Sequence, residues 1–239
     1  MNIYSNSFFH RVSDIEVLKL IIEQGFKCFY CKEEICNGRN TVGFIGIPMV
    51  SFSDIPLSYI ARNNYGKCGM GMTRKWGKNI HLQPVLYYPN NKKSLSTKMV
   101  NNAYKLFEKD SKDWQKYSIL GYSKPMNKSN NIKGVPKDNY IEREWRKVYA
   151  CPSPLKWLNE QEYNLYRGDK STPKTAVGNV LTFKPQDVVF IIIPQKEKDS
   201  FLDFIINTLK TFGGHQVTEQ ERLDIISKVV EYESLMFNI

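Results

Sequence analysis

The chain reads as an α+β protein with a mixed sheet, and three observations carry that reading. A strand-like run at residues 3–12 feeds directly into a capped amphipathic helix. Short strand-like runs recur around 48–53, 65–73 and 84–88, set off by turn and helix signals. A strongly apolar run at 187–194 precedes a helical C-terminal stretch. Strands and helices mixed in this way, in a chain of 239 residues that can bury a full core, describe one compact domain with an appended helical piece. The expected division is a single domain over 1–194, with a basic insertion at about 90–139, and a C-terminal helical extension over 195–239 packed on it.

Taken in order, Ile3 to Val12 alternates loosely around Phe8 and Phe9 and forms the first strand, ending at His10 and Arg11. Ser13 opens a capping box with Glu16, and Val17, Leu18, Ile21 and Ile22 supply an apolar stripe that Gly25 terminates. Residues 27–46 show no sustained period and read as a loop. Met49 to Ser53 is a short strand turning at Asp54 into a proline-initiated helix near Leu57. Between Tyr65 and Thr73 three glycines punctuate a strand, so that another backbone or a flat ligand can come close. Their spacing is not that of a phosphate-binding glycine loop. Pro84 to Tyr88 is another short strand.

From Thr97 to about Lys116, Met99, Ala103, Leu106 and Phe107 recur at helical spacing among lysines, which predicts an amphipathic helix with a basic outer face. Residues 123–139, rich in Lys, Asn, Pro and Gly, read as a mobile loop. Asp187 to Pro194 is a buried central strand. Phe201, Phe204, Ile205 and Leu209 make one helix ending at Gly213, and Thr218 with Glu221 caps another running to about Met236.

Composition excludes several classes. Hydrophobic residues at 41% and aromatics at 13% exclude a disordered chain, and no apolar run approaches the roughly 20 residues a membrane span needs. The N-terminus lacks a basic leader with an apolar stretch, so a cytoplasmic location is expected. Five cysteines do not make a disulfide framework; Cys28, Cys31 and Cys36 lie close together but lack a second short-spaced pair, so no metal site is expected. The net charge of +10 is concentrated, because residues 61–150 hold 19 Lys or Arg against 6 Asp or Glu. Such a field draws in polyanions, although a lysine-rich solvated surface has the same composition.

The chemistry centres on Tyr140-Ile-Glu-Arg-Glu-Trp-Arg146. As a strand it sets Glu142, Glu144 and Arg146 on one face and Arg143, Trp145 and Lys147 on the other. The two glutamates can act on a substrate, or simply pair with Arg143, Arg146 or lysines across the sheet. His10 ends a strand just before a helix, where side chains often face a cleft. Ser51 and Ser53 are pocket hydroxyls or turn caps.

The order of these pieces resembles known families. Phe9-His10 with the helix Leu18-x-x-Ile21-Ile22-x-x-Gly25 resembles the opening of DarT-type ADP-ribosyltransferases. That order, continued through Pro48-Met-Val-Ser-Phe-Ser-Asp-Ile-Pro-Leu-Ser58, Tyr65-Gly-x-x-Gly-Met-Gly, Pro84-Val-Leu-Tyr and Glu142-Arg-Glu-Trp-Arg146, is similar to the AbiGi family of abortive-infection proteins over about residues 7–149. The resemblance implies an ADP-ribosyltransferase-like split mixed sheet with flanking helices, and NAD as co-substrate. His10, with Arg11 beside it, and Ser51, Ser53 and Tyr65 would then bind NAD, while Glu144 serves the nicotinamide ribose and Glu142 the acceptor. Arg143, Trp145 and Arg146 would face the acceptor. A carboxylate at that ribose stabilises the positive charge that builds as the glycosidic bond breaks.

Aromatics Trp76, Tyr87, Tyr88, Trp114, Tyr117 and Tyr122 interleave with the lysines, which suits a single-stranded RNA or DNA acceptor as well as it suits a core. By analogy with toxin–antitoxin systems a neutralising antitoxin protein is the expected partner, and no membrane is. The competing reading is a non-enzymatic antitoxin or nucleic-acid-binding component of an abortive-infection system, or a transferase acting on protein. A magnesium nuclease is disfavoured, since two glutamates without an aspartate cluster make a poor metal cage.

Overall fold

The structure is a computed structural model, and it describes residues 5–62, 67–110, 114–127, 138–149, 156–168 and 176–236. The elements begin with β1 (Ser7–Val12), α1 (Ile15–Gln24), β2 (Phe29–Asn37), β3 (Asn40–Ser53), α2 (Leu57–Arg62), β4 (Cys68–Thr73) and α3 (Arg74–Asn79). There follow β5 (Gln83–Pro84), β6 (Leu86–Tyr88), α4 (Leu95–Lys109), β7 (Ser123–Pro125), β8 (Glu144–Val148) and α5 (Glu160–Gly168). The chain closes with β9 (Val188–Ile193), α6 (Lys198–Asp203), β10 (Thr211–Phe212), β11 (His215–Gln216), α7 (Glu219–Ser227), β12 (Val229–Glu231) and α8 (Tyr232–Met236). It is an α+β protein with a mixed sheet. Two compact units form, one from residues 1–27, 51–82 and 180–239, the other from 28–50 and 83–179.

In the first unit β1 pairs antiparallel with β4 and, through Phe9 and Ser53, with the end of β3. β4 pairs antiparallel with β9, and β12 runs parallel to β9. The apolar side chains of Phe8, Phe9 and Val12 are buried, as a two-sided internal strand requires. The cap of α1 is Asp14 and not Ser13: Asp14 takes the extended conformation and its carboxylate accepts the Glu16 N–H at 2.7 Å. A charged cap there also complements the helix dipole, which is why the acid wins over the serine beside it. Gly25, at φ 87°, ends the helix as its spacing predicts.

The glycines of β4 do admit flat partners, but these are the protein's own rings. A Cβ at Gly69 would stand 2.4 Å from the Phe9 ring, and one at Gly71 2.5 Å from the Phe190 ring. The C-terminal stretch is not purely helical. The Thr218–Glu221 capping box is present, but α7 stops at Ser227 because Val229 and Val230 are taken into β12. The helix expected to end at Gly213 ends at Thr208, and Gly213, at φ 57°, lies in the turn between β10 and β11.

In the second unit the region expected to be a loop is a hairpin. β2 and β3 pair antiparallel from Phe29↔Met49 to Asn37↔Asn40. Gly38, at φ 67°, takes the first position of the two-residue turn, where a side chain would be strained. Gly38-Arg39 between two strand-length runs was the hairpin signal, and the charges of Lys32, Glu33 and Glu34 masked it. β3 accordingly begins nine residues before the expected Met49. A bulge at Ile35/Cys36 breaks the ladder, and the backbone groups of Cys36 are met instead by the Tyr88 hydroxyl at 3.0 Å and the Asn101 amide at 2.9 Å.

α4 covers this hairpin with a face that keeps Ala103 and Phe107 of the expected stripe but not Met99 or Leu106. Val100, Tyr104 and Phe107 are buried with Ile45, Ile47, Tyr88 and Trp157, whereas Met99 and Leu106 are exposed. The helix ends at Lys109, and a separate 3-10 stretch spans Trp114–Tyr122. Within 123–139, Ser123–Pro125 pairs in parallel with β6; 128–137 lies outside the described residues.

Candidate functional site

β8 begins at Glu144, so the strand expected from Tyr140 is shorter than its sequence suggested. Residues Asn139–Glu142 form a 3-10 turn capped by Asp138, and Arg143, at φ 44° and ψ 54°, sits in the left-handed region between turn and strand. The alternation therefore holds only from Glu144: Glu144, Arg146 and Val148 are buried, Trp145 and Lys147 half-buried. Glu142 still arrives beside Glu144, delivered by the turn rather than by strand periodicity.

The four charged groups around Glu144 form one network. Arg146 Nε donates to Glu144 Oε1 at 2.7 Å and Nη2 to Glu33 Oε2 at 2.8 Å, while Nη1 donates to the Gly121 carbonyl at 3.0 Å. Lys124 Nζ donates to Glu144 Oε2 at 2.6 Å and to Glu142 Oε2 at 2.9 Å. The Glu144 backbone N–H donates to the Tyr87 hydroxyl at 2.8 Å. Side-chain exposure is 0% for Arg146 and 7% for Glu144.

Electrostatics sorts the carboxyls. Burial alone would raise the Glu144 pKa, but Arg146 and then Lys124 outweigh it and hold the carboxyl well below the usual range. Glu33 goes the other way, because burial, opposed by Arg146 and reinforced by Glu144, pushes it up. Lys124 bonds both Glu142 and Glu144, and Arg146 bonds both Glu144 and Glu33. Both cations are pushed up: their burial is outweighed by Glu144 and Glu33 at Lys124, and by Glu33 and Glu144 at Arg146.

The first unit holds the other predicted pieces. His10 Nδ1 lies 2.8 Å from the Ser51 carbonyl, which can only accept, so Nδ1 carries the hydrogen and Nε2 is the ring's acceptor. The ring packs edge-on against Phe26 at 5.0 Å and tilted against Phe52 at 5.3 Å. Burial lowers its pKa against the raising effect of the Ser51 bond, with Arg11 adding to the lowering. Arg11 is exposed, and Ser51 and Ser53 are half-buried. Tyr65 lies outside the described residues.

Of the expected site residues, the structure brings together His10 with Ser51 in one unit, and Glu142, Glu144 and Arg146 in the other. Arg146, expected to face an acceptor, is fully buried with its guanidinium engaged internally. Arg143 and Trp145 are half-buried. Of the aromatics expected to offer stacking faces, Trp76, Tyr88 and Tyr117 are core residues. Sequence reasoning missed Glu33, which lay in the misread hairpin, and Lys124, which nothing in the sequence separates from the other lysines. The Cys28 thiol is pushed up by burial to about 11, and that of Cys31, by burial and then Glu33, to about 12. Among the described residues no group of three His, Cys, Asp or Glu is placed to hold a metal ion, and no helix is long and apolar enough to cross a membrane.

The family model described as putative abortive phage resistance protein AbiGi, antitoxin, matches residues 24–194. This chain belongs to the AbiGi family. An abortive phage resistance protein AbiGi of Lactococcus lactis subsp. cremoris is 26% identical over 230 residues, covering 79% of this chain and 87% of the relative. No solved structure matches. The AbiGi match takes in Glu33, Lys124, Glu142, Glu144 and Arg146, and leaves His10 and Arg11 outside it.

Proposed function

We propose that this chain works in abortive infection against phage as the neutralising, antitoxin-side component, a protein that binds its partner rather than modifying a substrate. The carrying observation is the closure of the Glu144 carboxylate: each oxygen accepts from a cation, Oε1 from the buried Arg146 and Oε2 from the half-buried Lys124. Each oxygen keeps a second acceptor site, but at 7% exposure the carboxylate leaves little surface for a ribose hydroxyl to reach. The antitoxin description of the matched family supports the same reading.

A second reading, ADP-ribosyl transfer from NAD to a single-stranded nucleic acid, is favoured by one specific observation. His10 and Ser51 stand side by side on neighbouring strands, as the transferase scheme asks of its first two positions. In that reading Glu144, held ionised, stabilises the positive charge developing on the nicotinamide ribose, and Glu142 orients the acceptor.

Expression in host cells separates the two. The antitoxin reading expects the chain alone to be harmless and to restore growth to cells making the toxic protein of the same defence locus. The transferase reading expects growth arrest by the chain alone, relieved in Glu144→Gln and Glu142→Gln, with label from NAD appearing on nucleic acid. Arrest with label transfer would overturn the antitoxin proposal.

A further inference from the structure

α4 carries two apolar faces, and only one of them is used by the fold. At 3.6 residues per turn, Leu95, Met99 and Leu106 fall within about 40° of arc, centred roughly 125° around the helix from Val100, Tyr104 and Phe107. The second set is buried, whereas the first is 76%, 62% and 53% exposed. Lys98, Lys105 and Lys109, all exposed, line one flank of this outer stripe. Glu108 is the helix's single carboxylate; it lies beyond the lysine row and is bonded to the Tyr104 hydroxyl.

We propose that this outer face of α4 is the docking surface for the partner protein, and that it receives an acidic amphipathic helix whose apolar side packs on Leu95, Met99 and Leu106 while its carboxylates meet the lysine row. The inference rests on the antitoxin-side reading above and names the surface that performs it.

Three considerations fix the occupant. Fold stability does not need large aliphatic side chains on a solvent face, and three at helical spacing match the anchors that one helix presents to another. Leucine and methionine offer no stacking plane to a base, so a nucleic acid would use the lysines and leave the stripe in water. A lipid surface calls for a broad apolar face, and the broad face of this helix is already in the core. Lysines along one flank then select a partner with carboxylates in register, which steers association and fixes orientation.

The test uses the full chain and the purified toxic protein of its own locus, with binding measured by calorimetry. Wild type should bind, Met99→Glu with Leu106→Glu should bind tenfold or more weaker, and Lys98→Glu with Lys105→Glu should weaken binding and flatten its salt dependence. Because the substituted side chains are exposed, far-UV dichroism and melting should stay at wild-type values; the lysine variant provides a second reading if they do not. Failure of wild type to bind would sink the antitoxin-side reading and this surface with it. Wild-type affinity in both variants would overturn the surface alone. Binding to phosphatidylserine vesicles or polyuridine that is lost in the Met99/Leu106 variant, with toxin binding kept, would overturn the choice of occupant.

Discussion

The surroundings of Glu144 and of His10 solve opposite problems with buried polar groups. In the second unit, charge is kept and balanced: Arg146 and Lys124 are held by carboxylates and hold them in turn. In the first unit, charge is removed: a neutral imidazole sits among aromatic rings with one bond to a carbonyl. A charged network is robust to moderate pH but intolerant of losing any member, whereas a neutral polar group fails when it is asked to ionise.

The largest expected effect comes from breaking the network at its centre. Arg146→Met leaves Glu33 and Glu144 sharing Lys124 alone and should reduce stability by about 3–5 kcal/mol, read from urea unfolding. A loss under about 1 kcal/mol would mean the network is wet and weakly coupled. Next, His10→Phe keeps the ring packing but removes the hydrogen bond to the Ser51 carbonyl, at a cost of about 1 kcal/mol. The same variant checks the ionisation argument. The His10 pKa is lowered on folding, so wild type loses stability as pH falls below about 6.5, and His10→Phe should lack that slope.

Gly38→Ala tests the hairpin that brings Glu33 to Arg146. It places a side chain at φ 67°, with its Cβ 2.9 Å from the flexible Lys92 side chain, and should cost about 1 kcal/mol. Glu33→Gln is the mildest and carries the sharpest sign. The Glu33 pKa is raised on folding, so ionising it opposes the native state, and that penalty grows as pH rises above about 4.3. The variant should equal or fall slightly below wild type in acid and gain on it by up to about 1 kcal/mol at neutral pH, since a Gln carbonyl still accepts from Arg146. A gain on acidification instead would mean that folding lowers the Glu33 pKa.

Local signals were legible wherever a short segment decides its own structure. The stop at Gly25, the Thr218–Glu221 capping box and the apolar strand ending at Ile193 depend on neighbours three or four residues away. The pairing of Glu144 with Arg146 across one residue was open to a reader of strand alternation for the same reason. α4 shows the limit. It has apolar residues on two sides, and periodicity picked Met99 and Leu106 for the core along with Ala103 and Phe107, where the hairpin selected Val100, Tyr104 and Phe107.

Neither Glu33 nor Lys124 could have been nominated from sequence. Glu33 reaches Arg146 across 113 positions, and Lys124 reaches Glu144 across 20. Residue types and spacing established an α+β chain with capped helices, a concentrated basic region and a carboxylate pair worth watching. Whether that pair faces solvent or is locked by a buried arginine and a half-buried lysine depends on contacts between segments distant in the chain, and only packing supplies the desolvation that makes those contacts matter.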